Sequence, residues 1–284
     1  MTSVAEEHAR VAPPAENARY WSHPASSEVE LLRARFVRHR FARHTHPTYT
    51  LAHIERGVEE YYYRGGIRRA VAGDLGLIEP DTLHTGQAGV PSGWEYRVMY
   101  PTEAFVRDIA RAEGHPGAPR FGEEPLRGEA ASRHVRRAHI AAERGDDLSA
   151  STLLRLALTS LIREHSLSGP RRAAVAADGP SSVRRAEEIL RQRLVGPPSL
   201  AELASAVGSA PHPLLRAFRR HYGLPPHAYL NQVRVLRARH LLAEGHAPAD
   251  VAHLVGFADQ AHLTRHFKRH TGVGPGAYRR GFTQ

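Results

Sequence analysis

The chain has 284 residues, with 39 Lys and Arg against 29 Asp and Glu, which gives a net charge of +10 when the histidines are neutral. It contains no cysteine, which excludes disulfides, thiolate metal sites and thiol catalysis and fits a cytoplasmic protein. No apolar run is long enough to predict a membrane span, and the length suffices for two domains, each with its own core.

The polar N-terminal segment, residues 1–30, lacks the apolar centre of a signal peptide and is predicted to be partly disordered. From Leu31 to Tyr100 the chain consists of short alternating runs, such as Tyr49–Ile54 and Trp94–Tyr100, which turn signals such as Arg64-Gly-Gly separate. Many short strands at this spacing predict a small antiparallel β-barrel.

Three histidines stand out in this strand region. His44 and His46 are two residues apart, so on a strand both side chains point to the same face. His84 follows the stretch Gly73-Asp-Leu-Gly-Leu-Ile-Glu-Pro. This stretch and the three histidines resemble the sequence pattern of a cupin-type sensor domain. A ligand cavity needs aromatic side chains and a few polar groups. The predicted effector-binding residues are His44, His46, Tyr49, Tyr62, His84, Trp94 and Tyr96.

The same histidines provide an alternative interpretation, a cupin metal-dependent enzyme fused to a DNA-binding module. Three imidazoles are a common ligand set for catalytic metal ions. However, the metal-binding cupin pattern has Glu four or five residues after the second histidine, where this chain has Thr50 or Leu51. We therefore assign no metal, no cofactor and no enzymatic activity from the sequence. Whether these histidines bind a metal stays open, as does the identity of the effector.

From Glu123 to Leu167 the pattern becomes helical, and the stretch that begins near Ser149 is apolar around much of its circumference. That is more apolar surface than a lone surface helix can cover. This helix is expected either to pack on the barrel or to form a dimer interface, and the dimer is the prediction that we adopt. Residues 31–167 are therefore predicted to be a sensor domain with a helical dimerisation region. Residues 168–181, which contain two Gly-Pro pairs, are predicted to be a flexible linker.

The C-terminal part contains an internal repeat. The stretch from Leu203 to Tyr229 recurs from Val251 to Tyr278, and each copy contains a short helix, a glycine turn and a longer basic helix. This is the order of elements in a helix-turn-helix unit. Ser199 and Glu202 have the spacing of a capping box, which predicts a helix start at Leu200. Asp259 is the predicted N-cap of a second helix, from Gln260 to Thr271.

Positive charge is concentrated in the same part of the chain. Residues 182–284 contain fifteen Arg and Lys against six Asp and Glu, so they carry nine of the ten net charges. A basic helical region joined to a nearly neutral region is typical of a protein that binds a polyanion.

Residues 182–284 closely resemble the DNA-binding region of AraC/XylS-type transcription regulators, over essentially its whole length. The matching residues include Ala204, Gly208, Leu214, Arg216, Phe218, Gly223, Pro226, Tyr229, Arg234, Gly256, Phe257, Asp259, Leu263, Arg265, Phe267, Gly272, Pro275 and Tyr278. The resemblance implies an effector-responsive, sequence-specific DNA-binding transcription regulator, an activator or a repressor, with an α+β, two-domain fold. A cupin-like antiparallel β-barrel with following helices precedes an all-α domain of two helix-turn-helix units, about 199–223 and 248–272.

The resemblance also implies double-stranded DNA, a small-molecule effector and RNA polymerase as partners, and a homodimer. Two units joined by a rigid helix, from about His227 to Ala243, are expected to enter successive major grooves. The predicted base-facing residues are His212, Leu215 and Arg216 in the first unit and Gln260, Ala261, Thr264 and Arg265 in the second. The predicted phosphate contacts are Arg219, Arg220, Lys268 and Arg269.

The first unit departs from the family pattern at the start of its second helix. Ala210 stands where a capping Ser or Asp is usual, although the neighbouring Ser209 is a possible substitute. The second unit keeps Asp259 as a cap and offers Gln and Arg side chains, which can form bidentate contacts with bases. We therefore expect the second unit to contribute at least as much sequence readout as the first.

Overall fold

The computed structural model describes residues 16–24, 26–122, 125–127, 130–167 and 181–283. Residues 1–15 of the predicted disordered segment, and the predicted linker apart from Ser181, lie outside these ranges. We refer to residues 16–167 as the N-terminal domain and to residues 181–283 as the C-terminal domain.

Within the described ranges, the N-terminal domain contains one antiparallel sheet of eight strands. They are β1 (Asn17–His23), β2 (Ser26–Phe36), β3 (Arg40–His44), β4 (Thr50–Tyr63), β5 (Gly66–Val71), β6 (Leu75–Ile78), β7 (His84–Ala88) and β8 (Trp94–Pro101). The strand order is β1-β2-β8-β4-β7-β3, and β5 and β6 also pair with the long β4. Because β1 begins inside the segment 1–30, the domain starts earlier than the boundary at residue 31 that the sequence suggested.

Both faces of this sheet are apolar, as β2 illustrates. Leu31 packs with residues of the covering helices, whereas Leu32 packs inside the curled sheet. Successive side chains of a strand point to opposite faces, so two adjacent leucines bury both. In the described part of the chain the edge strands β1 and β3 do not pair with each other, so the sheet is an open rather than a closed barrel.

Three helices cover the outer face of the sheet: α1 (Glu103–Ala112), α2 (Ala130–Glu143) and α3 (Asp147–His165). Leu154, Leu158 and Leu161 of α3 are fully buried in this layer. Leu148 and Leu156 stay 79% and 49% exposed. The helix α3 therefore buries most of its apolar surface within the domain, and these two leucines stay exposed. No helix in the described ranges has the length and hydropathy needed to cross a membrane.

Seven helices form the described C-terminal domain. They are α4 (Ser181–Gln192), α5 (Leu200–Ala206), α6 (Pro211–Tyr222), α7 (Pro226–Ala243), α8 (Pro248–Leu254), α9 (Gln260–Thr271) and α10 (Pro275–Arg280). The pairs α5–α6 and α8–α9 are the two predicted helix-turn-helix units, and α7 is the predicted joining helix.

The predicted helix caps are confirmed at two of three positions. The backbone N–H of Ser199 donates to the Glu202 carboxylate (2.8 Å), and that of Glu202 donates to Ser199 Oγ (3.2 Å). Asp259 accepts from the backbone N–H of His262 (2.6 Å). Helix α6 has no side-chain cap, because the hydroxyl of Ser209 contacts the carbonyl of Ala210 instead.

The two units are buried in different cores. Leu203 and Phe218 of the first unit pack with Val183 of α4 in a core that belongs to the C-terminal domain. Phe267 of the second unit belongs instead to a cluster that continues into the curled sheet, where it includes Phe36. The second unit therefore shares its buried core with the N-terminal domain. The buried residues of the first unit's core all come from the C-terminal domain, and the half-buried Leu83 of the N-terminal domain packs against them.

The helices α6 and α9 each end at a glycine that touches the N-terminal domain. Gly223 and Gly272 have φ of +70° and +78°, which is the left-handed conformation that favours glycine. A Cβ on Gly272 would lie 2.4 Å from Phe36 Cζ, and a Cβ on Gly223 would lie 2.5 Å from Leu83 Cδ2. A side chain at Gly272 would therefore meet a buried aromatic ring, whereas one at Gly223 would meet the end of a flexible leucine side chain.

Candidate functional site

A cavity lies between the two domains, at the open mouth of the curled sheet. The volume open to the centres of water molecules is about 60 Å³. One water needs roughly 10–15 Å³ by this measure, so the cavity holds a few small groups. Strands β3, β4, β7 and β8 line one side, and helices α7 and α9 line the other.

Four of the seven predicted effector-binding residues line this cavity: His44, His46, His84 and Tyr96. They come from three separate parts of the sheet, and the curl of the sheet brings them together. His44 and His84 are direct partners across the antiparallel β3–β7 pair. The side chains of His46, His84 and Tyr96 are buried, and that of His44 is half-buried.

The other three predicted residues, Tyr49, Tyr62 and Trp94, are not in the cavity lining. Tyr49 belongs to the outer core, where its hydroxyl donates to the carbonyl of Pro119 (2.8 Å). Tyr62 lies under the guanidinium of Arg43, 5.1 Å from its ring centre. Trp94 is buried in the inner core without reaching the cavity surface. These three residues were chosen by residue type and not by the face of the strand that each occupies, and the structure leaves them outside the cavity that contains the other four.

Four polar cavity residues were not anticipated: Glu59, Gln232, Arg239 and His270. Glu59 is two residues before Tyr61 on β4, and both line the cavity, so strand alternation alone could have identified it. Burial raises the pKa of Glu59 to about 8. Gln232 and Arg239 lie on one stripe of α7, but nothing local in the sequence shows which domain this stripe contacts.

Polar contacts between the domains surround the cavity. Gln232 Nε2 donates to Thr45 Oγ1 (2.7 Å), and the backbone N–H of Thr45 donates to Gln232 Oε1 (3.1 Å). Arg239 donates to Glu30 (2.6 Å), and the Tyr278 hydroxyl donates to the other oxygen of the same carboxylate (2.8 Å). Hydrogen bonds therefore join the N-terminal domain to helices α7 and α10 around the cavity.

The histidine rings in the cavity wall are close together and neutral. The ring centres of His44 and His84 are 4.1 Å apart, and those of His46 and His84 are 4.8 Å apart. Burial lowers the pKa of His46 and of His84 to about 3, and burial together with the neighbouring His84 lowers the pKa of His44 well below its usual range. At neutral pH all three rings therefore carry an unprotonated nitrogen.

The predicted DNA-contacting side chains lie on outward faces of α6 and α9. Leu215 and Thr264 are half-buried, and the others are exposed: His212, Arg216, Arg219, Arg220, Gln260, Ala261, Arg265, Lys268 and Arg269. Within the described residues, none of the six cations in this set forms an ion pair. These charges face solvent, as cations that contact phosphates must.

Comparison with known proteins identifies both domains. A family model described as the AraC-like ligand binding domain matches residues 26–158, and a helix-turn-helix domain model matches residues 203–281. The chain belongs to the AraC family of transcription regulators. The HTH-type transcriptional regulator YbfI of Bacillus subtilis is 25% identical, over 83% of this chain and 86% of YbfI. The HTH-type transcriptional activator RhaS of Salmonella arizonae is 38% identical, over 24% of this chain and 25% of RhaS.

Solved structures share the two-domain fold. An apo variant of ToxT from Vibrio cholerae superposes with a TM-score of 0.58 at 12% identity, over 91% of this chain and 99% of ToxT. Wild-type ToxT with bound unsaturated fatty acid superposes with a TM-score of 0.51 at 12% identity, over 95% of each chain. At this identity the likeness shows the fold alone. This AraC-type protein is an effector-responsive, DNA-binding transcription regulator, and its family argues against the alternative of a metal-dependent enzyme.

Proposed function

We propose that the cavity between the domains is the effector site, and that effector binding acts on the second helix-turn-helix unit. The observation that carries the proposal is the lining of the cavity. His44 and Tyr96 come from the sheet, whereas Arg239 and His270 come from α7 and α9. A ligand that contacts His270 touches the helix that carries the predicted base-facing residues of the second unit.

The shared core supports the same mechanism. Phe267 of the second unit and Phe36 of the sheet belong to one apolar cluster, and other members of this cluster, such as Tyr61 and Tyr96, line the cavity. A ligand with different affinities for the docked and undocked arrangements shifts the population between them. The ligand-bound ToxT structure is a precedent for a small molecule bound to a protein of this fold.

For DNA binding, we propose that α6 and α9 enter successive major grooves on one face of the duplex. Helix α7 has 18 residues, about 27 Å at 1.5 Å per residue, which suits grooves one helical turn apart. In this proposal the exposed residues of both helices contact DNA as the sequence predicts. The chain acts as a cytoplasmic homodimer that recruits RNA polymerase and catalyses no reaction, and Leu148 and Leu156 of α3 are available for the dimer contact.

Arg265 gives the sharpest test of the DNA-binding part. It is exposed on the first turns of the capped helix α9, on the side away from the buried Leu263 and Phe267. On an operator selected from random duplexes, Arg265→Ala should cost about 1–3 kcal/mol of binding free energy, and much less on a site altered at the base pair it reads. Arg137→Ala, an exposed position on α2, is the control and should leave both affinities unchanged.

The alternative role for Arg265 is a phosphate contact. In that case Arg265→Ala would weaken binding equally to the operator and to each of its single-base variants, because phosphate contacts carry no sequence information. Equal losses on all variants would contradict base readout by this residue.

A further inference from the structure

Three imidazoles converge on one wall of the cavity. One ring nitrogen from each of His44, His46 and His84 lies within 4.8 Å of the other two. A tetrahedral ion with metal–nitrogen distances of about 2.0–2.1 Å holds its nitrogens roughly 3.4 Å apart. Ring rotations that shorten these distances by up to about 1.4 Å therefore suffice to surround an ion.

Hydrogen bonds show which nitrogen each ring presents. The Nδ1 atoms of His44, His46 and His84 contact the backbone carbonyls of Ala42, Thr48 and Thr82, at 2.7, 2.9 and 2.8 Å. A carbonyl only accepts, so each Nδ1 carries the hydrogen and each Nε2 has the free lone pair. Metal-ligating histidines almost always have this arrangement, in which the second ring N–H is anchored by a carbonyl or carboxylate.

We propose that His44, His46 and His84 bind a divalent first-row transition-metal ion, with Zn²⁺ as its representative, and that this ion is part of the effector signal. Three nitrogen donors favour zinc, copper, iron or nickel over magnesium and calcium, which prefer oxygen. A three-histidine site leaves a coordination position open for water or a small ligand. The link to DNA rests on the proposed function, whereas the metal site itself does not.

The second helix-turn-helix unit lies next to this site. His270, in the last turn of α9, lines the cavity, and its ring centre is 6.1 Å from that of His44. Its Nδ1 contacts the carbonyl of His266 (2.8 Å), so its Nε2 is also available. Glu59 lines the same cavity. Occupancy of the metal site therefore changes the charge that faces α9 directly.

One contact competes with the metal. Because His46 Nδ1 carries the hydrogen, His46 Nε2 accepts from the hydroxyl of Thr50 (3.0 Å). This hydroxyl must turn away before His46 can ligate an ion. Thr50→Val removes the competing donor at nearly constant volume, so we expect it to raise Zn²⁺ affinity by about 2- to 10-fold, the worth of one ordinary hydrogen bond.

The experiment is a calorimetric titration of the metal-free full-length protein with Zn²⁺. We expect the protein to bind one equivalent of Zn²⁺ tightly. Loss of a hydrogen-bond partner behind a metal ligand typically lowers metal affinity roughly 10- to 100-fold. His44→Ala and His84→Ala each remove a ligand itself, so each should lower the Zn²⁺ affinity by at least this factor. The matched controls are His262→Ala and His266→Ala. These histidines are four residues apart on α9 with ring centres 4.9 Å apart, so they form a surface pair that could chelate zinc by itself.

Retention of the tight equivalent in both control variants, and its loss in both cavity variants, would support the site. Unchanged affinity in His44→Ala and His84→Ala, loss confined to the control variants, or a decrease in Thr50→Val would overturn it. If the cavity variants do not fold, the visible absorption spectrum of Co²⁺ bound to the wild-type protein tests the site instead. Strong visible absorption from a four- or five-coordinate ion supports the site, and the weak spectrum of a six-coordinate ion overturns it.

Operator binding separates this inference from the proposed function. With a selected duplex, Zn²⁺ should change DNA affinity, and DNA should change Zn²⁺ affinity by the same factor, because coupling between two binding sites is reciprocal. Specific DNA binding without any zinc uptake would overturn the metal site and leave the proposed function intact. Zinc uptake by a protein that binds no specific DNA would contradict the proposed function alone.

Discussion

The two helix-turn-helix units are repeats in sequence, but different parts of the molecule stabilise them. Tyr229 and Tyr278 occupy the same position in the repeat, and each hydroxyl donates to a glutamate. For Tyr229 this is Glu187, on α4 of the same domain (2.6 Å). For Tyr278 it is Glu30, on β2 of the N-terminal domain (2.8 Å).

Each of these tyrosine–glutamate pairs also has an arginine beside it. Arg191 pairs with Glu187 and lies 5.7 Å from the ring centre of Tyr229, and Arg239 pairs with Glu30 and lies 5.6 Å from that of Tyr278. The N-terminal domain thus takes the place at the second unit that α4 takes at the first. The first unit therefore depends less on the sensor than the second, which the sensor completes and which is open to control by an effector.

Of the matched substitutions, those of Glu30 and Glu187 should differ most in their effect on the free energy of unfolding. Arg239 is only 21% exposed, whereas Arg191 is 54% exposed. Glu30→Gln leaves a mostly buried guanidinium without its counter-charge, so we expect it to lower the free energy of unfolding by about 2–4 kcal/mol, somewhat less than for a fully buried pair. Glu187→Gln removes a partly solvated ion pair and should cost about 0–1 kcal/mol. Urea unfolding of the full chain measures both; equal losses would refute the comparison.

The two C-cap glycines provide a second matched pair. Alanine at either position pays the cost of a left-handed conformation, about 1–2 kcal/mol. At Gly272 the new methyl group also meets the buried Phe36 ring, whereas at Gly223 it meets the end of the Leu83 side chain, which is only half-buried. We expect Gly272→Ala to be more destabilising than Gly223→Ala by about 1–3 kcal/mol, the usual cost of overpacking. A larger loss at Gly223, by thermal unfolding, would contradict this.

The phosphate contacts test whether both units engage DNA. Replacing Arg219 or Arg220 in the first unit, or Lys268 or Arg269 in the second, by Ala should weaken binding to all sequences alike. Each lost contact should flatten the salt dependence by about one unit. A flatter salt dependence in the Arg219 and Arg220 variants alone would show that the second unit does not contact DNA under those conditions. An unchanged slope in all four variants would contradict the assignment of these residues.

Local structure in the C-terminal domain could be predicted closely from the sequence. The capping box at Ser199, the cap at Asp259 and the joining helix, predicted to start at about His227 and observed to start at Pro226, all depend on residues a few positions apart. Helix caps and glycine turns are local interactions, so their signals lie within one turn of the chain.

The cavity was less predictable because its walls come from distant segments. Arg239 and Glu30 are 209 residues apart, and no local pattern pairs them. Tyr49 and Trp94 were assigned by residue type, and the structure places one in the outer core and the other deeper in the inner core. The structure places the three predicted histidines together in the cavity wall, with His44 directly opposite His84 across the β3–β7 pair. The two-residue spacing predicted a common face for His44 and His46, but nothing local in the sequence pairs either residue with His84.

The most direct test of the account is amide hydrogen exchange of the full chain and of the fragment 181–284. The fragment should fold, because the first unit and α4 form a complete core. Amides of α6 near Phe218 should keep their protection, whereas those of α9 near Phe267, whose core continues into the missing domain, should exchange at least about tenfold faster. Equal protection of α6 and α9 in the fragment, or equal loss in both, would contradict the claim that the sensor stabilises the second unit more than the first.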